Sequence, residues 1–196
     1  MSPDRIRERY ALIQEETGPG VTIVAATKYV SVPDMAMLVA AGIPVVGENR
    51  AQDLERKHAE YGDAFRWHFI GRLQSNKVKV VNRICELVHS LESESAARKL
   101  TIPALVEINL SGEASKGGVG PGDLPHLLEL ADVRGLMTMP PVADDPEASR
   151  PYFRRLRELA EQHGLAELSM GTSQDWRVAI EERATHVRIG SVLYHD

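Results

Sequence analysis

VTIVAATKYV, residues 21–30, reads as a buried strand that ends beside a cation. The run VTIVAAT (21–27) is mostly apolar and is predicted as the first strand, and Lys28 follows it directly. A lysine just past a strand commonly places its amine in water, so this residue alone indicates no function. Its meaning depends on what the rest of the chain builds around it.

Seven more strand-like segments follow, and helix-like segments lie between them. The strands are short and mostly apolar, as expected for strands that are covered on both faces. Eight βα units predict an α/β fold, a single (β/α)8 barrel of the TIM type that spans residues 1–196 as one domain. The seven segments are PVVGE (44–48), WHFIG (67–71), LVHSL (87–91), ALVEINL (104–110), RGLMTM (134–139), ELSMG (167–171) and HVRIG (186–190).

The two ends of the chain complete this prediction. The chain is short for such a barrel, which typically needs roughly 250 residues, and no closing helix is predicted after the eighth strand. An extra amino-terminal helix, over about residues 3–16, is predicted to cover that side. Ser2 is a suitable N-cap for it, and Ile6 and Ile13 recur at helical spacing.

Charge and hydropathy exclude several classes of protein. The formal net charge is −5 with acidic and basic residues interspersed, which indicates neither a nucleic-acid surface nor a membrane-binding face. The charged start MSPDRIRERY is unlike a secretion signal, and the apolar stretch MAMLVAAGIPVV (35–46) is too short to span a bilayer. The sequence therefore predicts a cytoplasmic protein, and the lack of a long heptad pattern favours a monomer.

Cysteine and histidine usage indicates neither a disulfide nor a metal site. The single cysteine, Cys85, has no partner for an internal disulfide and is interpreted as a small buried hydrophobic residue. The seven histidines occur without the HExxH or HxH spacing that metal sites use.

In a barrel of this kind the chemistry takes place at the carboxyl ends of the strands. Lys28 stands at the first of these ends, where partial burial would lower the pKa of its amine and make the neutral form available to a carbonyl group. Asn49 follows the second strand. It either caps the next helix, lines the mouth of the barrel, or does both.

The last two strand ends have the composition of a phosphate site. Thr172 and Ser173 follow ELSMG, and Ser191 follows HVRIG. Small residues expose backbone N–H groups there, hydroxyls add donors, and barrels often bind phosphate in the loops after strands seven and eight. Arg188 lies two residues before Gly190, so strand alternation points both toward the interior.

An amine at the first strand end and a phosphate site at the last two match the needs of pyridoxal 5'-phosphate. Its aldehyde condenses with a lysine, and its phosphate needs donors. An arginine beside the pyridine nitrogen would keep that nitrogen unprotonated and weaken the ring as an electron sink.

Seven strings resemble the pyridoxal-phosphate homeostasis proteins and are similar to the barrel domain of alanine racemases. They occur in family order as VAATK, GENRAQD, WHFIGRLQSNK, INLSGEASKGG, GLMTMPP, LSMGTSQD and ATHVRIGS. The resemblance implies a role in vitamin B6 and amino-acid homeostasis with no securely attributed reaction and no catalytic residue, and pyridoxal-phosphate-dependent apoenzymes as partners. The resemblance also implies that Lys28 is the Schiff-base lysine and that Asn49 lies beside the cofactor. It implies that Arg188 faces the pyridine nitrogen and that the phosphate is held by Ser173, Gly190 and Ser191.

Three features depart from the family pattern. Thr172 stands where a methionine is usual and adds a hydroxyl to the expected phosphate loop. Arg183 stands where a glycine is usual, which puts the helix end before the eighth strand in doubt. The tail SVLYHD is shorter than in most relatives.

Two enzymatic alternatives compete with a non-catalytic carrier of pyridoxal phosphate. An amino-acid racemase needs an acid/base group on each face of the substrate. Alanine racemases take the second group from an additional β domain, and Tyr29 is expected to point away by strand alternation. A lysine-dependent aldolase also uses a lysine in a barrel, but it needs neither two phosphate loops nor Arg188. The carrier is the preferred hypothesis.

Overall fold

The computed structural model describes residues 2–113 and 117–194 as a closed barrel of eight parallel strands in sequential order. The predicted (β/α)8 barrel is therefore confirmed. Ala25 on the first strand lies opposite Ile189 on the last, and this pairing closes the barrel. The strands are β1 (Thr22–Ala26), β2 (Val45–Glu48), β3 (Arg66–Phe69), β4 (Leu87–Leu91), β5 (Ala104–Glu107), β6 (Val133–Met137), β7 (Glu167–Thr172) and β8 (His186–Ile189).

Strand β5 ends earlier than the sequence predicts, because the glycine-rich loop after it folds back. Val119 N donates to Glu107 O over 2.8 Å, and Asn109 N donates to Val119 O over 2.9 Å. Ile108 and Val119 thus form an isolated bridge in place of a longer strand.

The helices lie between the strands on the outside of the barrel, and several are only one or two turns long. Short 3-10 turns at Gly62–Ala64, Pro121–Asp123 and Pro146–Ser149 precede a strand or extend a helix. The α-helices are α1 (Pro3–Thr17), α2 (Met35–Ala41), α3 (Ala51–Tyr61), α4 (Val78–Ile84), α5 (Glu94–Ala97), α6 (Leu124–Leu128), α7 (Arg150–Gln162), α8 (Trp176–Glu181) and α9 (Ser191–Tyr194).

Helix α1 covers the side of the barrel next to β8, as the sequence predicts. The expectation that no helix follows β8 is wrong, because the short helix α9 comes directly after it. It starts at Ser2, whose hydroxyl accepts from Arg5 N over 3.5 Å. Its apolar side buries Ile6 and Ile13, and the helix packs against α2, α8 and α9.

The chain has two apolar regions separated by the wall of the barrel. The larger lies between the helices and the outer face of the sheet, and it includes Cys85. Cys85 is only 5% exposed, which confirms its interpretation as a buried hydrophobic residue; burial raises the pKa of its thiol. The smaller consists of Leu87, Leu105 and Met137. Among the described residues, no helix combines the length and the apolar character needed to cross a bilayer.

Arg183 adopts the left-handed conformation that a glycine would normally supply at the end of α8. Its φ is +70°, and it is the only described residue other than glycine with a positive φ. Ala184 N donates to Ala179 O over 2.9 Å, which closes a Schellman-type helix end around it. Arg183 therefore carries the steric cost of a left-handed conformation that a glycine would avoid.

Arg183→Gly is expected to raise the free energy of unfolding by roughly 0.5–1 kcal/mol, because glycine has no Cβ to clash in this conformation. Arg183→Ala is the matched control, since it removes the exposed side chain but keeps the Cβ, and it should give little or no gain. Urea unfolding of the three proteins measures the effect. Equal stability of the glycine and alanine variants would contradict this explanation.

Candidate functional site

The carboxyl ends of the strands open into a cavity of about 740 Å³. Residues from both ends of the sequence line it, because β1 and β8 are neighbours in the barrel. All six residues predicted for the site line this one cavity: Lys28, Asn49, Ser173, Arg188, Gly190 and Ser191.

Lys28 lies in the turn after β1 and is exposed at the mouth. Its Nζ lies 4.6 Å from the centroid of the Tyr29 ring, within range of a cation–π contact. The expected partial burial of Lys28 is therefore wrong for this conformation. The expectation that Tyr29 points away is also wrong, because β1 ends at Ala26 and strand alternation does not extend into the turn. Among the described lysines, Lys28 alone lines the cavity.

Asn49 lines the mouth and does not cap α3. The N-cap position of that helix is Arg50, and the Asn49 Oδ1 atom is buried without a hydrogen-bond partner. The backbone of Asn49 packs closely against Gly71. A Cβ at position 71 would lie 2.1 Å from the backbone carbonyl oxygen of Asn49, so only glycine allows the two segments to come this close. A buried amide oxygen without a partner is suited to a donor from a bound ligand.

The loops after β7 and β8 bring hydrogen-bond donors together. Gly190 N and Val192 N both donate to the Ser173 hydroxyl oxygen, over 3.1 and 3.4 Å. A Cβ at Gly190 would come no closer than 3.7 Å to the nearest described atom outside its own chain neighbours, so packing does not require the glycine. Because glycine has no side chain, the backbone of Gly190 itself lines the cavity. Amides that converge on an oxygen suit a phosphate group.

The Thr172 hydroxyl does not join these donors. Both its backbone N–H and its hydroxyl donate to Asp175 Oδ1, over 2.7 and 3.0 Å. Thr172 therefore shapes the loop through Asp175, and the added phosphate donor expected from the sequence is not formed. Gly171, with φ at +91°, allows β7 to approach α8 just before this loop.

Arg188 lies at the base of the cavity and is held by several partners. Its Nη1 donates to the Ser169 hydroxyl. Its Nη2 donates to the Thr138 carbonyl over 3.1 Å and contacts Met139 Sδ over 2.9 Å. Burial lowers the pKa of the guanidinium to about 10, while Glu107 and Asp175 act in the opposite direction. Arg188 thus remains charged at neutral pH.

The wall of the cavity beside β5 is acidic, which the sequence reading missed. Glu92 pairs with Arg72 over 2.5 Å and accepts from Gly118 N over 2.7 Å. Burial and the charge of Glu92 raise the pKa of Glu107. Strand alternation could have predicted that Glu107 faces the interior, because it lies two residues after the inward-facing Leu105.

Three histidines that are distant in sequence meet inside the barrel below the cavity. The ring centroids of His68, His89 and His186 are 5.1 to 6.1 Å apart. Burial lowers the pKa of all three rings, to about 3 for His68 and about 4 for His186. Within residues 2–113 and 117–194, no three His, Cys, Asp or Glu side chains are arranged to hold a metal ion. No spacing in the sequence predicts that these three histidines lie together.

Comparison with known proteins agrees with this geometry. The family model of the alanine racemase N-terminal domain matches residues 1–196. A pyridoxal phosphate homeostasis protein from Aquifex aeolicus is 41% identical to this chain, over 98% of the chain and 95% of the relative. The chain belongs to the pyridoxal phosphate homeostasis protein family.

Solved structures extend the comparison to the fold. PipY of Synechococcus elongatus, whose structure was determined with pyridoxal phosphate (PLP) bound, is 31% identical to this chain. It aligns with a TM-score of 0.85 over 97% of this chain and 100% of PipY. An alanine racemase from Corynebacterium glutamicum is 15% identical and has a TM-score of 0.75, over 99% of this chain and 61% of the racemase. That second likeness shows the barrel fold alone.

The buried histidines predict a loss of stability in acid. Because their pKa values in the folded chain lie below the ordinary value of 6.5, the unfolded chain binds more protons as the pH falls below 6.5. The free energy of unfolding should therefore fall from that point until the pH nears the folded values. Each histidine contributes a slope of roughly 1.4 kcal/mol per pH unit within its window.

Urea unfolding at pH values of about 7, 6 and 5 measures this slope. His186→Gln is the control, because a glutamine is neutral in both states and removes the contribution of one ring. An unchanged slope in that variant would contradict the assignment.

Proposed function

We propose that this chain binds pyridoxal phosphate in the cavity through a covalent bond from Lys28, and acts in intracellular vitamin B6 and amino-acid homeostasis as a non-catalytic carrier or regulator. The observation that carries the proposal is the shared cavity. One lysine, one buried guanidinium and a cluster of hydroxyls and amides line it together. The name of the curated relatives and the PLP-bound PipY structure support the same conclusion.

Lys28 is suited to covalent attachment. Pyridoxal phosphate, when bound, supplies an aldehyde that condenses with a primary amine. Lys28 would hold the cofactor by condensing its amine with that aldehyde, which would replace the C=O bond by a C=N bond and release water. Since Lys28 is exposed at the mouth, amines from solution can also reach this position, which suits a protein that passes its cofactor on.

The opposite end of the cofactor matches the loops after β7 and β8. Ser173, Gly190 and Ser191 are proposed to hold the phosphate through hydroxyl and backbone N–H groups. The amides of Gly190 and Val192 already converge on the Ser173 hydroxyl oxygen, and a phosphate oxygen is an acceptor of the same kind.

Arg188 and Asn49 are proposed to contact the ring. A charged guanidinium beside the pyridine nitrogen donates to it and disfavours its protonation. An unprotonated ring nitrogen is a weaker electron sink, so this arrangement favours binding over chemistry at the α-carbon of an amino acid. The Asn49 amide oxygen, which lacks a partner, would accept from a donor on the ligand.

Two tyrosines in the cavity lining bear on racemisation, the alternative function. Tyr29 and Tyr194 both line the cavity, although the sequence reading expected no tyrosine there. Burial and the charge of Glu48 raise the pKa of Tyr194, so its phenol stays protonated at neutral pH and does not act as a base. Tyr29 is 84% exposed and packs against Lys28. These positions do not supply the acid/base pair that racemisation needs.

The wider context is proposed on the same basis. Residues 1–196 would act as one cofactor-binding domain, as a monomer in the cytoplasm. Pyridoxal-phosphate-dependent apoenzymes would receive the cofactor from it. An exposed mouth with an exposed lysine supports such a transfer.

Lys28→Ala is expected to lower the borohydride-fixed adduct with pyridoxal phosphate below about one tenth of the wild-type level, because no other described lysine reaches the cavity. Absorption spectroscopy and peptide mass spectrometry measure the adduct, and circular dichroism checks the fold. Lys77→Ala, at the N-cap of α4, is the control and should keep the adduct. A fixed adduct in Lys28→Ala at Lys77, or at Lys116 outside the described residues, would refute the assignment.

Ser191→Asp is expected to weaken binding of pyridoxal phosphate by roughly tenfold or more and to leave binding of unphosphorylated pyridoxal nearly unchanged. The added carboxylate repels the phosphate dianion at short range. Ser191→Asn has a similar size without the charge and serves as the control. Fluorescence titration with both vitamers gives the affinities, and equal losses for the two would mean that the phosphate lies elsewhere.

A further inference from the structure

A chain of hydrogen bonds crosses the interior of the barrel from β8 to β3. Arg188 Nη1 donates to Ser169 Oγ on β7. The Ser169 oxygen lies 2.7 Å from His89 Nδ1 on β4, and His89 Nε2 lies 2.9 Å from His68 Nδ1 on β3. All four residues are buried. The chain thus joins the arginine of the cavity to strands on the other side of the barrel.

The direction of each bond follows from the chemistry of the groups. A guanidinium can only donate, so the Ser169 oxygen accepts from Arg188. The serine has one proton of its own, and of its two described partners only His89 Nδ1 can accept it. His89 then carries its proton on Nε2 and donates to His68 Nδ1. Every bond in the chain points away from Arg188.

This pattern requires neutral imidazoles. An imidazolium has no acceptor nitrogen, so a charge on His89 would remove its bond from Ser169. Burial lowers the pKa of His68 to about 3 and that of His89 well below its ordinary value. Both rings are therefore neutral at physiological pH, and the direction of the chain is fixed.

We infer that Ser169 and His89 are positioning residues that hold the Arg188 guanidinium in place for the ring nitrogen of the cofactor. The inference rests on the proposed binding of pyridoxal phosphate. The chain tethers Nη1 while the Thr138 carbonyl and Met139 tether Nη2, so the guanidinium cannot turn about its own axis without losing bonds. A barrel interior is usually filled by bulky apolar side chains; here a satisfied polar chain stands in their place directly below the cavity.

The test compares pyridoxal phosphate with its 1-deaza analogue, in which a CH group replaces the ring nitrogen. An arginine that donates to the nitrogen should make the wild-type protein prefer pyridoxal phosphate by roughly tenfold or more, as expected for a hydrogen bond to a charged group. Ser169→Ala should lower this preference several-fold, because Nη1 loses its acceptor. Arg188→Met gives the limit in which the preference is lost.

Position 89 supplies a rescue experiment. His89→Leu removes the acceptor for the Ser169 proton and should lower the preference, whereas His89→Asn places an amide oxygen near the position of Nδ1 and should restore much of it. Ser90→Ala is the matched control. Ser90 is a buried serine on the same strand whose hydroxyl donates to the Gly71 carbonyl and not into the chain, so its loss should leave the preference unchanged.

A purely structural role would lower the affinities for both ligands by the same factor. An unchanged preference in Ser169→Ala and in His89→Leu would therefore overturn the inference while leaving cofactor binding intact. A wild-type protein that does not bind pyridoxal phosphate would instead refute the proposed function, and the inference with it.

Discussion

The pairing of β1 with β8 determines where the functional groups of this protein lie. Ala25 stands opposite Ile189 in that ladder, so the turn that carries Lys28 emerges beside the loop that begins at Gly190. Parallel strands in a closed barrel place all their carboxyl ends on one face. A lysine from the start of the chain and amides from its end therefore share one cavity without any long loop to bring them together.

The interior of the barrel shows how stability and site geometry compete. Buried polar groups are costly unless every donor finds an acceptor. Three histidines, Ser169 and Arg188 occupy space that most barrels give to aliphatic side chains. Hydrogen bonds between neighbouring side chains recover part of that cost. They also fix the rotamer of Arg188, whose described hydrogen-bond partners include no acidic side chain. Rigidity at the base of the cavity complements the openness at its mouth, where Lys28 is exposed.

Sequence patterns predicted the barrel, and all six candidate site residues line the cavity. Both could be predicted because strand count and the composition of strand ends are local properties of the sequence. The conformation of Tyr29 was not accessible in the same way, since it depends on where β1 ends. The role of Thr172 could not be predicted either, because its hydroxyl donates to Asp175 and not into the phosphate loop. The histidine cluster could not be predicted from the sequence because its members come from three strands. Only closure of the barrel brings His68 and His186 together.

Helix α1 has a consequence for the order in which the molecule assembles. It is synthesised before strands β1–β8, yet two of its partners, α8 and α9, come after the other described helices in the chain. The bonds that join it to them, from Arg177 to Glu16 and from Arg9 to Leu193, span 161 and 184 residues. Contacts of such long range form slowly. A nascent chain that still lacks β8 therefore carries both an open sheet edge and an uncovered amphipathic helix, the features that chaperones recognise and that aggregation exploits.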